Sequence, residues 1–61
     1  MREIAVIELE FMASSELIAL RRSIDRELPS WPRDSIERLS GGITLRNIGW
    51  VLARRGLEPW P

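Results

Sequence analysis

The chain contains no cysteine, histidine, tyrosine or lysine, and a single phenylalanine. Without cysteine there is no disulfide framework, and without cysteine or histidine the usual ligand sets for zinc, iron and copper cannot be assembled. The same absences remove Cys-His and Ser-His nucleophile pairs. Of the side chains that carry acid-base or nucleophilic chemistry, only Asp, Glu, Ser, Thr and Arg remain. No apolar run approaches the roughly 18 residues needed to span a bilayer. Met1-Arg2-Glu3 leads into a stretch interrupted by Glu8 and Glu10, unlike a signal peptide. The expectation is a soluble, unprocessed, cytoplasmic protein with neither metal nor cofactor.

What is present fits one small domain over residues 1–61. An apolar fraction of 44% supplies a compact core and argues against intrinsic disorder. A chain of 61 residues buries only about 60% of the surface its unfolded form exposes, so oligomerisation or a partner is expected. Nine arginines balance nine acids for a net charge of zero, which gives little long-range attraction to nucleic acid or anionic lipid.

Proline and glycine punctuate the chain at Pro29-Ser30-Trp31-Pro32, at Gly41-Gly42 and at Gly56, before a Pro59-Trp60-Pro61 end. In the first segment, Val6, Leu9, Ala13, Leu17, Leu20, Ile24 and Leu28 step by three or four and form one helical stripe. That spacing predicts a long N-terminal helix over residues 4–28. The competing signal is the period-two order Ile7-Glu8-Leu9-Glu10-Phe11, which reads as a strand. In that alternative Ser14 caps a shorter helix, and the strand has to pair across a dimer.

The second segment opens on Asp34-Ser35-Ile36-Glu37, an acidic capping box with Asp34 as the cap, and the glycine pair ends it as a short helix. A third helix begins with Thr44 as N-cap and stops where Gly56 adopts the left-handed conformation. On its wheel Leu45, Ile48, Val51 and Leu52 take the core side, and Arg46, Asn47, Trp50 and Arg54 the other. The fold class is therefore mainly α, with a homodimer seam along Leu17, Leu20, Ile24 and Leu28 of the first helix.

No constellation points to catalysis. Glu8 and Glu10 share a face only on a strand, since on a helix they lie about 200° apart. Gly41-Gly42 is not a phosphate loop, because no Gly-Lys-Ser/Thr follows it. The informative feature is charge: residues 1–16 hold four Glu and one Arg, whereas residues 38–57 hold four Arg and no acid. Either the two ends face each other, or the basic end meets a partner. Trp50 has a similar pair of readings. It is covered by the first helix or the Pro59-Trp60-Pro61 end, or it anchors a partner with Arg46 and Arg54 four residues away on either side.

Residues 34–57 resemble a helix-turn-helix DNA-binding element, with Gly42-Ile43-Thr44 at the turn and Ile48 and Val51 at the inward positions after it. Arg38 stands four positions before the turn glycine, where such families usually carry a small residue. Leu45-Arg46-Asn47-Ile48-Gly49 through Leu52-Ala53-Arg54-Arg55-Gly56-Leu57 is similar to the DNA-binding region of large serine recombinases. These resemblances imply a non-enzymatic regulatory module in which Arg46, Asn47 and Arg54 contact DNA and Arg38 and Arg55 hold phosphates. The alternative is a small protein-binding inhibitor or adaptor that uses the Arg-flanked Trp50 surface.

Overall fold

The computed structural model describes residues 1–58, and the expected covering of Trp50 by the Pro59-Trp60-Pro61 end lies outside the described residues. Three helices follow in order: α1 (Val6–Glu10), α2 (Ser14–Glu27) and α3 (Ile36–Arg54), with a single 3-10 turn at Leu28–Ser30 prolonging α2. The described residues contain no strand, so the alternation from Ile7 to Phe11 does not mark one. The mainly helical expectation holds, but two of its elements need correction.

The long N-terminal helix is broken. The amide of Phe11 donates to the Glu8 carbonyl and that of Met12 to the Leu9 carbonyl, tightening the last turn of α1. Ala13 is then extended, and its N–H donates to the Glu16 carboxylate at 2.8 Å, which closes off the start of α2. Packing supplies the reason for the break. An unbroken helix over residues 4–28 would run about 38 Å, beyond the 33 Å longest dimension of the molecule, and much of its stripe would overshoot α3. With the chain reversed at residues 11–13, Leu9 of α1 and Leu17 of α2 are both fully buried in one core, while Ala13, in the middle of the expected stripe, is exposed.

The second correction concerns the glycine pair. Gly41 and Gly42 do not separate two helices but lie inside α3, and the described residues have positive φ at Gly56 alone. Two glycines in a helix interior cost about 0.8–1 kcal/mol each relative to alanine, and close packing at Gly41 compensates. A Cβ built there would fall 2.7 Å from the Trp31 ring and 3.2 Å from Leu28. Gly41 is buried for that reason, whereas Gly42 faces open space. The helix-turn-helix geometry is accordingly absent.

The capping residues shift with the helix. Ser35 rather than Asp34 caps α3: its Oγ accepts from the Arg38 N–H at 3.1 Å and donates to the Pro32 carbonyl at 2.7 Å. Thr44 is no cap but a fully buried interior residue. Gly56 ends α3 as expected, with φ of 76°, as its N–H reaches the Ala53 carbonyl and that of Leu57 the Leu52 carbonyl.

α1 runs beside α3 in the same direction. Ile4 touches Thr44 and Asn47, and Glu10 pairs with Arg54 further along. α2 runs the opposite way, from Ser14 beside Arg55 to Leu28 beside Gly41. The core between them is Leu9, Leu17, Ile24, Ile48, Val51 and Leu52. This also corrects the expected dimer seam. Leu17 and Ile24 are buried within one chain, and Leu20 and Leu28 are half-buried there, because the stripe of α2 is the face it turns toward α3.

Candidate functional site

The six residues expected to meet DNA or a partner lie along α3 and just past its end, but most of their polar groups bind the chain itself. Arg54 forms an ion pair with Glu10. The Arg55 guanidinium donates to Ser14 Oγ at 2.9 Å, to the Met12 carbonyl at 2.9 Å and to the Glu10 carbonyl at 3.2 Å. It thereby ties the end of α1 and the start of α2 to the C-terminus of α3, satisfying carbonyls that the break in the helix leaves without intrahelical donors. Asn47 Nδ2 donates to the Ile4 carbonyl at 2.9 Å, and Arg38 reaches the Trp31 carbonyl at 3.4 Å. The acidic and basic ends of the sequence thus face each other within one chain.

A second ion pair lies on the N-terminal segment, where Arg2 grips Glu8 through two hydrogen bonds of 3.1 and 3.2 Å. The Arg2 hydrogen bonds hold the Glu8 carboxyl below its ordinary range. Any stability this pair adds is present above that range and is lost as pH falls through the lowered value. Both side chains are exposed, so the contribution is small.

Arg46 and Trp50 lie on another face of the helix. They sit on the solvent side of α3, in line with Ile36, Leu39 and Ile43, so the row 36, 39, 43, 46, 50 steps by 3, 4, 3 and 4. At 100° per residue these five side chains fall within an arc of about 80°, roughly opposite the buried face of Thr44, Ile48 and Val51. Ile36 is 76% exposed and Leu39 65% exposed. Two shallow grooves flank the row. One is lined by Arg38, Leu39, Gly42, Ile43 and Arg46. The other, about 350 Å³ and mostly apolar, lies between Val6 of α1 and Arg46, Asn47 and Trp50 of α3. α3 is therefore apolar on both sides, and beyond Glu37 it carries arginine but no carboxylate.

The sequence reading places Arg46 and Trp50 on this surface but misses Ile36, Leu39 and Ile43. Treating the glycine pair as a helix end stops the wheel at Thr44, so the row is never followed across Gly42. Its 3-4-3-4 stepping is the signal that finds it. α1 and the Phe11 that caps it likewise leave two large apolar side chains in water, Ile7 at 67% and Phe11 at 88% exposed.

Among the described residues, no group of three or more acids is placed to hold a metal ion, and no helix is long and apolar enough to cross a membrane. Compared with protein-family models, curated proteins and solved structures, the chain has no match. Its own surface is therefore the ground for a functional reading.

Proposed function

We propose that the chain is a small, non-enzymatic, cytoplasmic protein-binding module that holds an amphipathic, acid-flanked segment of a partner on the outer face of α3. The observation that carries this reading is the row Ile36, Leu39, Ile43, Arg46 and Trp50, apolar and arginine-bearing, on a helix with no acid after Glu37. Helix-in-groove recognition uses apolar anchors at this spacing, and Arg and Trp dominate interface hot spots. An acidic flank on the partner supplies the counter-charge for Arg46 and keeps the wrong segments out.

The DNA-binding reading draws less support. Duplex binding by phosphate neutralisation needs several uncommitted cations. Of the expected contacts, Arg54, Arg55, Asn47 and Arg38 all bond within the chain, which leaves Arg46 on α3, while the exposed Arg22, Arg26 and Arg33 lie off that helix. In place of the helix-turn-helix arrangement that would present them together stands one continuous helix.

A titration separates the two readings. A helical peptide with leucines at i, i+3, i+4 and i+7 flanked by glutamates should bind, and Arg46→Glu should weaken it at least tenfold. The same peptide flanked by lysines should bind poorly. Failure of the glutamate peptide, together with binding of a short duplex whose log-log salt slope is about 0.9 per phosphate contact, would establish DNA as the target instead.

A further inference from the structure

The stripe Val6, Leu9, Ala13, Leu17, Leu20, Ile24 and Leu28 keeps its helical phase straight through the reversal at residues 11–13. Nothing in the sequence there breaks a helix. No proline or glycine precedes Pro29, and Met12 and Ala13 are strong helix formers. The reversal is held from outside instead. The Arg55 guanidinium donates to the Glu10 and Met12 carbonyls and to Ser14 Oγ, and the Glu16 carboxylate accepts from the Ala13 N–H. In an unbroken helix those two carbonyls would accept from the Ser14 and Glu16 amides, which open α2 without intrahelical acceptors. Two backbone arrangements are thus open to residues 11–13, one latched by Arg55 and one straight.

We infer that the protein has a second, dimeric arrangement in which residues 11–13 straighten and two copies exchange α1, each docking its own on the inner face of the other's α3. Direction and register both permit it. In the single chain α1 runs with α3, and α2 runs against it. Once residues 11–13 are helical, α1 runs with α2 and so against its own α3. A two-fold axis perpendicular to the long helix and passing near residue 12 gives the second copy's α3 the opposite direction, beside the part of the helix that overshoots. Each α1 then makes there the contacts it makes within one chain: Ile4 on Thr44 and Asn47, Leu9 in the core, and Glu10 on Arg54. The exchange is made twice and the assembly closes. A helix of about 38 Å, too long for a molecule of 33 Å, becomes the connection between two. Every contact between α1 and α3 is kept, so the hinge and the protein concentration set the balance between the two forms.

Sedimentation over a concentration series, joined to isotope-filtered NMR, tests the exchange. Labelled and unlabelled chains are unfolded together and refolded at high concentration. The dimer fraction should show contacts from Ile4 of one chain to Thr44 and Asn47 of another, with helical chemical shifts at residues 11–13. Arg55→Ala removes the latch and should strengthen dimerisation by about tenfold or more. Ala13→Pro should do the reverse. Ala13 has φ of −66° and ψ of 152° in the closed chain, a conformation proline adopts, whereas a proline inside the straight helix removes a bond and clashes. That variant gives up only the exposed bond to Glu16, so it should stay folded by circular dichroism and remain monomeric. Ala13→Gly keeps the closed form and weakens the helix at both hinges, so it should reduce dimerisation about tenfold, and it decides the matter should the proline chain fail to fold. A dimer without the Ile4 to Thr44 contact between chains would overturn the inference. So would a glycine or folded proline variant that dimerises as well as the parent, or parent and Arg55→Ala chains that both stay monomeric at every accessible concentration.

Discussion

Leu52→Ala is expected to remove most of the stability of this protein. Leu52 is fully buried in the core beside Leu9, Leu17 and Ile48, and it sits on the helix that contacts both other helices. Truncating a buried leucine costs about 2–5 kcal/mol, through lost transfer energy and the cavity left behind. At about 0.05–0.15 kcal/mol per residue, a domain of this size holds roughly 3–9 kcal/mol in total. Chemical denaturation should therefore show a midpoint shifted close to zero denaturant, or a chain already unfolded at 37 °C. A shift of less than about 0.5 kcal/mol, the range of surface substitutions, would mean that α3 does not occupy the centre of the fold.

Thr44→Val is expected to cost about 1–3 kcal/mol, although it removes no bulk. Thr44 is fully buried, its hydroxyl donates to the Ser40 carbonyl at 2.8 Å, and the same oxygen accepts from the Ile4 N–H at 3.1 Å. Valine keeps the shape but leaves the Ile4 amide, half-buried against α3, without an acceptor. In a domain of 60–100 residues each lost kcal/mol lowers Tm by about 4–8 °C, so the change is easily read. Thr44→Ser retains the hydroxyl and should recover most of the loss. A Thr44→Val chain as stable as the parent would mean that the hydrogen bond fastening Ile4 to α3 contributes little.

Thr44 also illustrates where sequence and structure part. As a threonine two positions after a glycine pair it has the signature of an N-cap, and nothing local distinguishes that from an interior hydroxyl with a partner forty residues away. Gly41 is the same problem seen from the backbone: it is there for the Trp31 ring, not for a turn, and that contact is not local in sequence. The break at residues 11–13 was hidden because Leu9, Ala13 and Leu17 keep helical spacing across it. By contrast, Ile48, Val51 and Leu52 read as core from periodicity alone, and the helix end from Gly56, whereas the equally periodic Leu17 and Ile24 read as a dimer seam because periodicity does not say what a stripe packs against. Of the candidate site, the helical wheel puts Arg46 and Trp50 away from the core, and both are exposed there. Arg54 and Arg55 read from the sequence as contacts for a partner because the Glu10 carboxylate and the Glu10 and Met12 carbonyls come within their reach only once the chain has reversed.

The central claim is a division among the arginines, with Arg55 holding the fold and Arg46 serving the partner surface. Arg46→Ala and Arg55→Ala, each measured for thermal unfolding and for binding of the glutamate-flanked peptide, test it most directly. Arg55→Ala should lower Tm, since charge-assisted hydrogen bonds contribute about 1.5–3 kcal/mol when well formed and somewhat less where exposed, and should leave the affinity of the remaining folded protein unchanged. Arg46→Ala should leave Tm in place and weaken the peptide. The opposite pattern, with Arg55→Ala abolishing binding at unchanged Tm, would contradict the account and return the C-terminal arginines to the functional surface.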